Sequence, residues 1–182
     1  MPNWCDNNLT VTGDAEAIKR FVAGITNEDG SIEILKNLVP FPTELEGGDI
    51  LDHNGNAVGQ AFTDEGYNWC LRNWGTKWGD IESEITVNDD YLVLKYETAW
   101  SPALAGIERI SRLFPTLTFQ TDWVEEGLQS IGAASYQDGR ESVYDVPESD
   151  FPSWEEGEDG EIDWQAQQDA VSDLREKAIQ NV

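Results

Sequence analysis

The sequence predicts an α+β fold in which an antiparallel sheet carries its helices on one face. Stretches of alternating apolar and polar residues, the mark of half-buried strands, stand at 7–12, 82–88, 91–98 and 116–125. Two amphipathic helical patterns, at 14–25 and 102–114, lie between them. Both occupy connections between strands of one sheet, which puts them together on one face.

The elements follow in order. "NNLTVTG" alternates Leu9 and Val11 with polar residues and reads as a strand. Asp14 then caps a helix with Ile18, Phe21, Val22 and Ile25 on one side. "SIEILKNLVPFP" starts as a short helix or strand and is stopped by Pro40 and Pro42. Residues 43–60 are rich in Gly, Asp and Asn and read as a long exposed loop, of the kind that is often functional or mobile. Residues 64–74 read as a helix, with Tyr67, Leu71 and Trp74 at i, i+4, i+7 and Cys70 beside them. Gly75 follows as the residue able to take φ > 0 at a helix end. In "NWGTKWGD", Lys77 then complements the helix C-terminus and Trp78 packs back. The competing reading of that motif is a partner-contact surface of Trp74, Lys77 and Trp78. Asn88-Asp89-Asp90 joins two strands as a turn. Ser101-Pro102 gives an N-cap followed by proline at the first helical position, and Pro115 ends that helix. A last strand at 116–125 turns through Glu126-Gly127 into a further strand within 128–140. The order β-α-β-β-α-β is the ferredoxin-like arrangement, with an insertion at 26–80 after the first helix.

The expected domain is 1–140, and 141–182 is an acidic extension. "DVPESDFPSWEEGEDGEIDW" mixes acids with Pro, Gly and Ser and reads as a linker, with Phe151 and Trp154 pinning it to the body. From Asp163 the pattern turns helical. Trp164, Val171, Leu174 and Ala178 form a stripe for packing on the domain, on another copy as a homodimer, or on a partner.

Charge is the strongest global feature. Acids outnumber bases 36 to 11 in 182 residues, for a net charge of −25. Direct contact with nucleic acid is disfavoured, because phosphate contacts need Lys and Arg. The bland consequence is solubility through self-repulsion. The sharper one is a basic protein partner, contacted through Glu155, Glu156, Glu158, Asp159, Glu161 and Asp163, where the acids are densest. No apolar run reaches the roughly 18–20 residues of a membrane helix. The start, "MPNWCDNNLTVTG", lacks the basic and apolar regions of a signal peptide, so the expected location is the host cytosol. There Cys5 and Cys70 are expected as reduced, buried thiols rather than as a bridge.

No motif of known chemistry is present: no phosphate loop, no H-E-x-x-H, no G-x-S-x-G. Two cysteines and His53 cannot build a standard structural zinc site. "EEGEDGEIDWQA" has Gly157 and Ala166 where a calcium loop needs ligands, and Asn8-Leu9-Thr10 is a sequon with meaning only after secretion. No catalytic residue, metal or cofactor is assigned.

"MPNWCDNNLTVTG", "NWGTKWG", "TAWSP" and "LFP" at 113–115, taken in that order, resemble the YubB-type ferredoxin-like domain family over about residues 1–140. The resemblance implies the ferredoxin-like fold and an origin among plasmid and phage accessory proteins, and it implies no catalytic residues. Two functions from different classes follow. One is an interaction protein that binds a basic, nucleic-acid-binding partner, such as a host defence or nucleic-acid-processing complex, and inhibits it by nucleic-acid mimicry. The other is an enzyme or small-ligand binder with a pocket near His53, Trp69, Trp74 and Trp78. The interaction protein is the favoured reading, since charge is visible in the sequence and a catalytic constellation is not.

Overall fold

Residues 3–51, 53–125, 127, 130–151 and 164–182 are described by the structure, a computed structural model. The strands are β1 (Trp4–Thr12), β2 (Glu46–Leu51), β3 (Ala57–Phe62), β4 (Ile81–Val87), β5 (Tyr91–Ala99), β6 (Thr118–Glu125), β7 (Ile131–Gln137) and β8 (Arg140–Asp145). The α-helices are α1 (Ala15–Ile25), α2 (Ile34–Leu38), α3 (Asp64–Asn73), α4 (Leu104–Leu113) and α5 (Trp164–Ile179).

The main sheet has the order β4-β5-β1-β6-β7-β8, antiparallel throughout. Its first four strands are the ferredoxin-like set in ferredoxin-like order, and β7 and β8 extend it. Alternation along each strand then decides what each face buries. Cys5, Leu9 and Val11 of β1 point to one face with Leu92, Leu94, Phe119 and Trp123. Ile18, Phe21 and Ile25 of α1 and Ile107 and Ile110 of α4 cover them. Phe21 sits edge-on to Phe114 and Phe119, with centroids at 5.3 and 5.5 Å. Asp14 caps α1 as expected, accepting from the Ala17 N–H at 3.0 Å.

The opposite face has its own, smaller cluster. Val124, Ile131, Ala133 and Val146 meet Ala178, with Val171, Leu174 and Phe151 packed around them. Helices therefore lie on both faces: α1 and α4 on one, as expected, and α5 on the other over β6, β7 and β8. Val171, Leu174 and Ala178 of the expected α5 stripe pack on the chain's own sheet. Trp154 lies outside the described residues.

Several expectations are corrected. Residues 43–60 are not a long loop: the β2–β3 hairpin forms a separate two-stranded sheet there. The buried side of α3 is Gly66, Cys70 and Trp74, while Tyr67 and Leu71 are exposed. The reason is close approach, since a Cβ at Gly66 would stand 2.6 Å from the Leu45 carbonyl oxygen. Ser101 does not cap α4; Ala103 holds the N-cap position, and the Ser101 hydroxyl donates to the Gly75 carbonyl at 2.7 Å. The boundary drawn at 140 falls at the first residue of β8, which is part of the main sheet.

Candidate functional site

Three segments far apart in sequence meet at one end of the main sheet. The register sets Trp4 against Ala99, and the Trp100 N–H donates to the Asn3 carbonyl at 3.0 Å. The 74–80 segment is then tied down beside them. Thr76, fully buried, donates its hydroxyl to the Ala99 carbonyl at 2.8 Å, and the Gly106 N–H donates to the Trp74 carbonyl at 3.1 Å. Gly75 has φ +86, and a Cβ there would come within 3.2 Å of the Pro102 oxygen and the Ala105 nitrogen. That residue both ends α3 and lets the chain press against the start of α4.

The aromatic groups at this end differ in kind. Trp74 is 1% exposed, and its indole N–H donates to the Val39 carbonyl at 2.8 Å. It belongs to a ring cluster with Phe41 and Trp69, so it is a core residue and is corrected out of the expected contact surface. Lys77 makes its contact with the next aromatic residue in the chain. Its ammonium stands 4.7 Å from the Trp78 ring centroid, in cation–π range. Trp78 in turn meets Trp4 at 6.1 Å, edge to face. Trp100 was not singled out by sequence reasoning. It is 52% exposed and has φ +73, which for a bulky non-glycine residue is an outlier held by its surroundings. The lone signal in the sequence was "TAWSP", where the residues around the tryptophan read as a helix start.

Buried polar groups hold this end from below. The Asn7 amide donates to the Thr98 hydroxyl at 2.9 Å, and that hydroxyl donates to the Ser101 carbonyl at 2.8 Å. Asp80, 3% exposed, accepts from the Ile34 and Leu35 N–H groups at 2.9 and 2.8 Å and from the Ser83 hydroxyl at 3.1 Å. It therefore caps α2 from 45 residues away in sequence. Burial pushes its carboxyl up, against the hydrogen bonds that favour the charge. Asp80 is a positioning group for the 74–80 segment that sequence spacing could not reveal.

Nucleophilic chemistry finds little support here. Burial pushes the Cys5 thiol up to about 12 and the Cys70 thiol to about 11, the wrong direction for a reactive thiolate at neutral pH. Both cysteines are free and buried. His53 is exposed between β2 and β3, Trp74 is buried with the half-buried Trp69 edge-on to it, and Trp78 lies with Trp4. Among the described residues there is no group of three or more His, Cys, Asp or Glu able to hold a metal ion, and no helix long and apolar enough to cross a membrane. Glu155, Glu156, Glu158, Asp159, Glu161 and Asp163 lie outside the described residues.

Residues 73–166 match the model of the ferredoxin-like domain in Api92-like protein. Three of the motifs quoted above, at 73–79, 98–102 and 113–115, fall inside that span. Among solved structures, the chain is similar to the crystal structure of a protein api92 from Yersinia pseudotuberculosis, at 10% identity and a TM-score of 0.46. That similarity covers 81% of this chain and 99% of the other. No curated protein matches. With more than half of its length matched by that model, the chain belongs to the Api92-like family through its ferredoxin-like domain.

Proposed function

We propose that this chain is a binding module for a basic protein partner, and that the tryptophan end of the sheet is its anchor. Trp100 carries the reading. A large aromatic residue half in solvent, held at a backbone angle that disfavours it, is costly to keep unless it serves something outside the fold. Tryptophan is also among the residue types richest in binding energy at interfaces. Trp4, Lys77 and Trp78 flank it through the register and ring contacts above. The net charge of −25 sets the sign of the partner and speeds its approach.

The narrower form is a phage- or plasmid-borne accessory protein that occupies the nucleic-acid site of a host defence or processing enzyme. The charge supports it, because duplex DNA presents about one negative charge per 1.7 Å of axis. Burial raises the Cys5 and Cys70 thiols, which disfavours either as a nucleophile.

The test is titration of arginine-rich and acidic peptides of equal length, followed by tryptophan fluorescence, with wild type and Trp100→Ala. Arginine-rich peptide should bind, more weakly as salt rises, and Trp100→Ala should bind it about tenfold less tightly, as a hot-spot residue would. Equal binding by the variant would remove the anchor. For the narrower form, a partner that holds duplex DNA and this chain at the same time would end the mimicry reading.

A further inference from the structure

Among the described residues, the second face of the main sheet is covered over one half only. Helix α5 lies on β6, β7 and β8, and beside it a cleft of about 300 Å³ opens over β1, β5 and β4. A second cleft of about 330 Å³ continues along α5, and the two share Asn8 and Arg175. We infer that the open half is the seat of a basic amphipathic helix from the partner protein, lying alongside α5. This rests on the reading of the chain as a module for basic partners, and it says where the body of that partner lies.

The register gives the floor. Asp6, Asn8 and Thr10 alternate with the core residues of β1, so they face this side. Asp6 stands directly opposite Glu97, and in the next row Glu84, Lys95, Asn8 and Asp122 follow one another across four strands. Like charges placed directly opposite across strands are unfavourable, and around the cleft the carboxylates of Asp6, Glu84 and Glu97 outnumber the cations of Lys95 and Arg175, which favours a cationic occupant. The half-buried Val93 and exposed Tyr91 lie on the same face of β5 and give a helix something apolar to rest on.

Helix α5 shows what this face accepts. It settles with Val171, Leu174 and Ala178 on the sheet and with the Arg175 guanidinium on the Asp122 carboxylate, which also accepts from the Asn8 amide at 3.1 Å. The open half has a related layout, with Asp6, Glu84 and Glu97 set around Lys95, and with Val93 and Tyr91 farther along the same face of β5. Axes of packed helices stand roughly 8–10 Å apart, so a second helix beside α5 lies over β1 and β5. Trp4 shares the β1 face with Asp6 and Asn8, so the tryptophan end lies on the same side of β1 as the cleft. A helix laid in such a groove combines apolar contact with charge pairing at its rim.

The probe is a synthetic peptide of about 18 residues, long enough for about five helical turns, with leucines on one face and arginines on the other. A scrambled peptide of the same composition is the control. Binding is measured with wild type, with the double variant Asp6→Asn/Glu84→Gln, and with Glu28→Gln/Glu65→Gln, which removes equal charge elsewhere. Circular dichroism confirms that each variant is folded. The floor double variant should bind about tenfold less tightly and the control variant less than about twofold, as expected for two lost charge pairs at a defined place. Amide resonances of Asn8, Thr10, Val93 and Lys95 should shift on binding. If Trp100→Ala weakens binding while the floor variant and floor amides are unaffected, the inference falls and the anchor reading stands. If the floor responds and Trp100→Ala does not, the anchor falls and the seat stands. Equal binding of the scrambled peptide overturns the helical occupant, and no binding at all overturns both readings.

Discussion

Two backbone positions carry the local design of the tryptophan end, and they predict opposite behaviour. Gly75 sits at φ +86 with three backbone atoms of the 102–105 segment close to where a Cβ would stand. Gly75→Ala should lower stability by about 1–2 kcal/mol or more, the cost of a left-handed L-residue plus the crowding. An unchanged chemical denaturation midpoint would mean that this turn relaxes freely. Trp100 also has positive φ, but faces solvent. Trp100→Gly should be more stable than Trp100→Ala by about 1 kcal/mol, because only glycine takes that angle without strain. The reverse order would show that the angle is not a source of strain. Asp80 gives a pH signature at the same scale. Its raised carboxyl keeps a proton longer in the folded than in the unfolded state, so stability falls as pH rises above the ordinary carboxylate value. The stability of Asp80→Asn relative to wild type should therefore improve between about pH 3.5 and pH 6. A relative loss over that window would mean that the hydrogen bonds to the charged form outweigh burial.

At the scale of elements, α5 is the piece whose role is most separable. It packs through a cluster distinct from the main core, and its polar ties are the Arg175–Asp122 and Lys177–Asp150 pairs and a 3.4 Å bond from the Gln120 amide to the Ile179 carbonyl. A chain ending at Phe151 keeps all six strands of the main sheet but uncovers Val124, Ile131 and Ala133. It should fold, with far-ultraviolet dichroism reduced by the lost helix. It should also bind a hydrophobic dye more strongly and lose roughly 2–5 kcal/mol of stability, the scale of losing a few buried side chains. A truncated chain that does not fold would show that the second cluster is required for the sheet itself.

Across the whole molecule, a net charge of −25 on 182 residues makes self-repulsion a general term. Of the ion pairs Lys19–Glu16, Lys36–Glu33, Arg112–Glu108, Arg175–Asp122 and Lys177–Asp150, the first three join neighbours three or four residues apart on or beside one helix. Such pairs offset little of the excess. Raising salt from about 0.05 to about 0.5 M should raise the thermal midpoint, as the Debye length shrinks from over 10 Å to a few Å. A midpoint that falls with added salt would place the stabilising weight on those pairs instead.

The order of β1, α1, β4, β5, α4 and β6 was legible in the sequence alone, because period 2 and period 3.6 are local properties of a chain. Leu9 and Val11, the Asp14 cap, and the Ile18, Phe21 and Ile25 stripe were all legible for that reason. The sequence also determined the sign of the charge and the left-handed role of Gly75. It misread the 43–60 segment, because glycines and a short alternation do not reveal a hairpin whose strands pair only with each other. It misplaced the buried side of α3, because the choice between Tyr67 and Gly66 depends on what approaches the helix, and that was the Leu45 backbone. The candidate site was legible only in its words, "NWGTKWG" and "TAWSP". Which tryptophan is core and which is surface was decided by the pairing of Trp4 with Ala99 and the bond from Trp100 to Asn3, contacts across more than ninety residues. Tertiary structure alone could decide it, since exposure is a property of what packs against a side chain and not of the residues beside it in the chain.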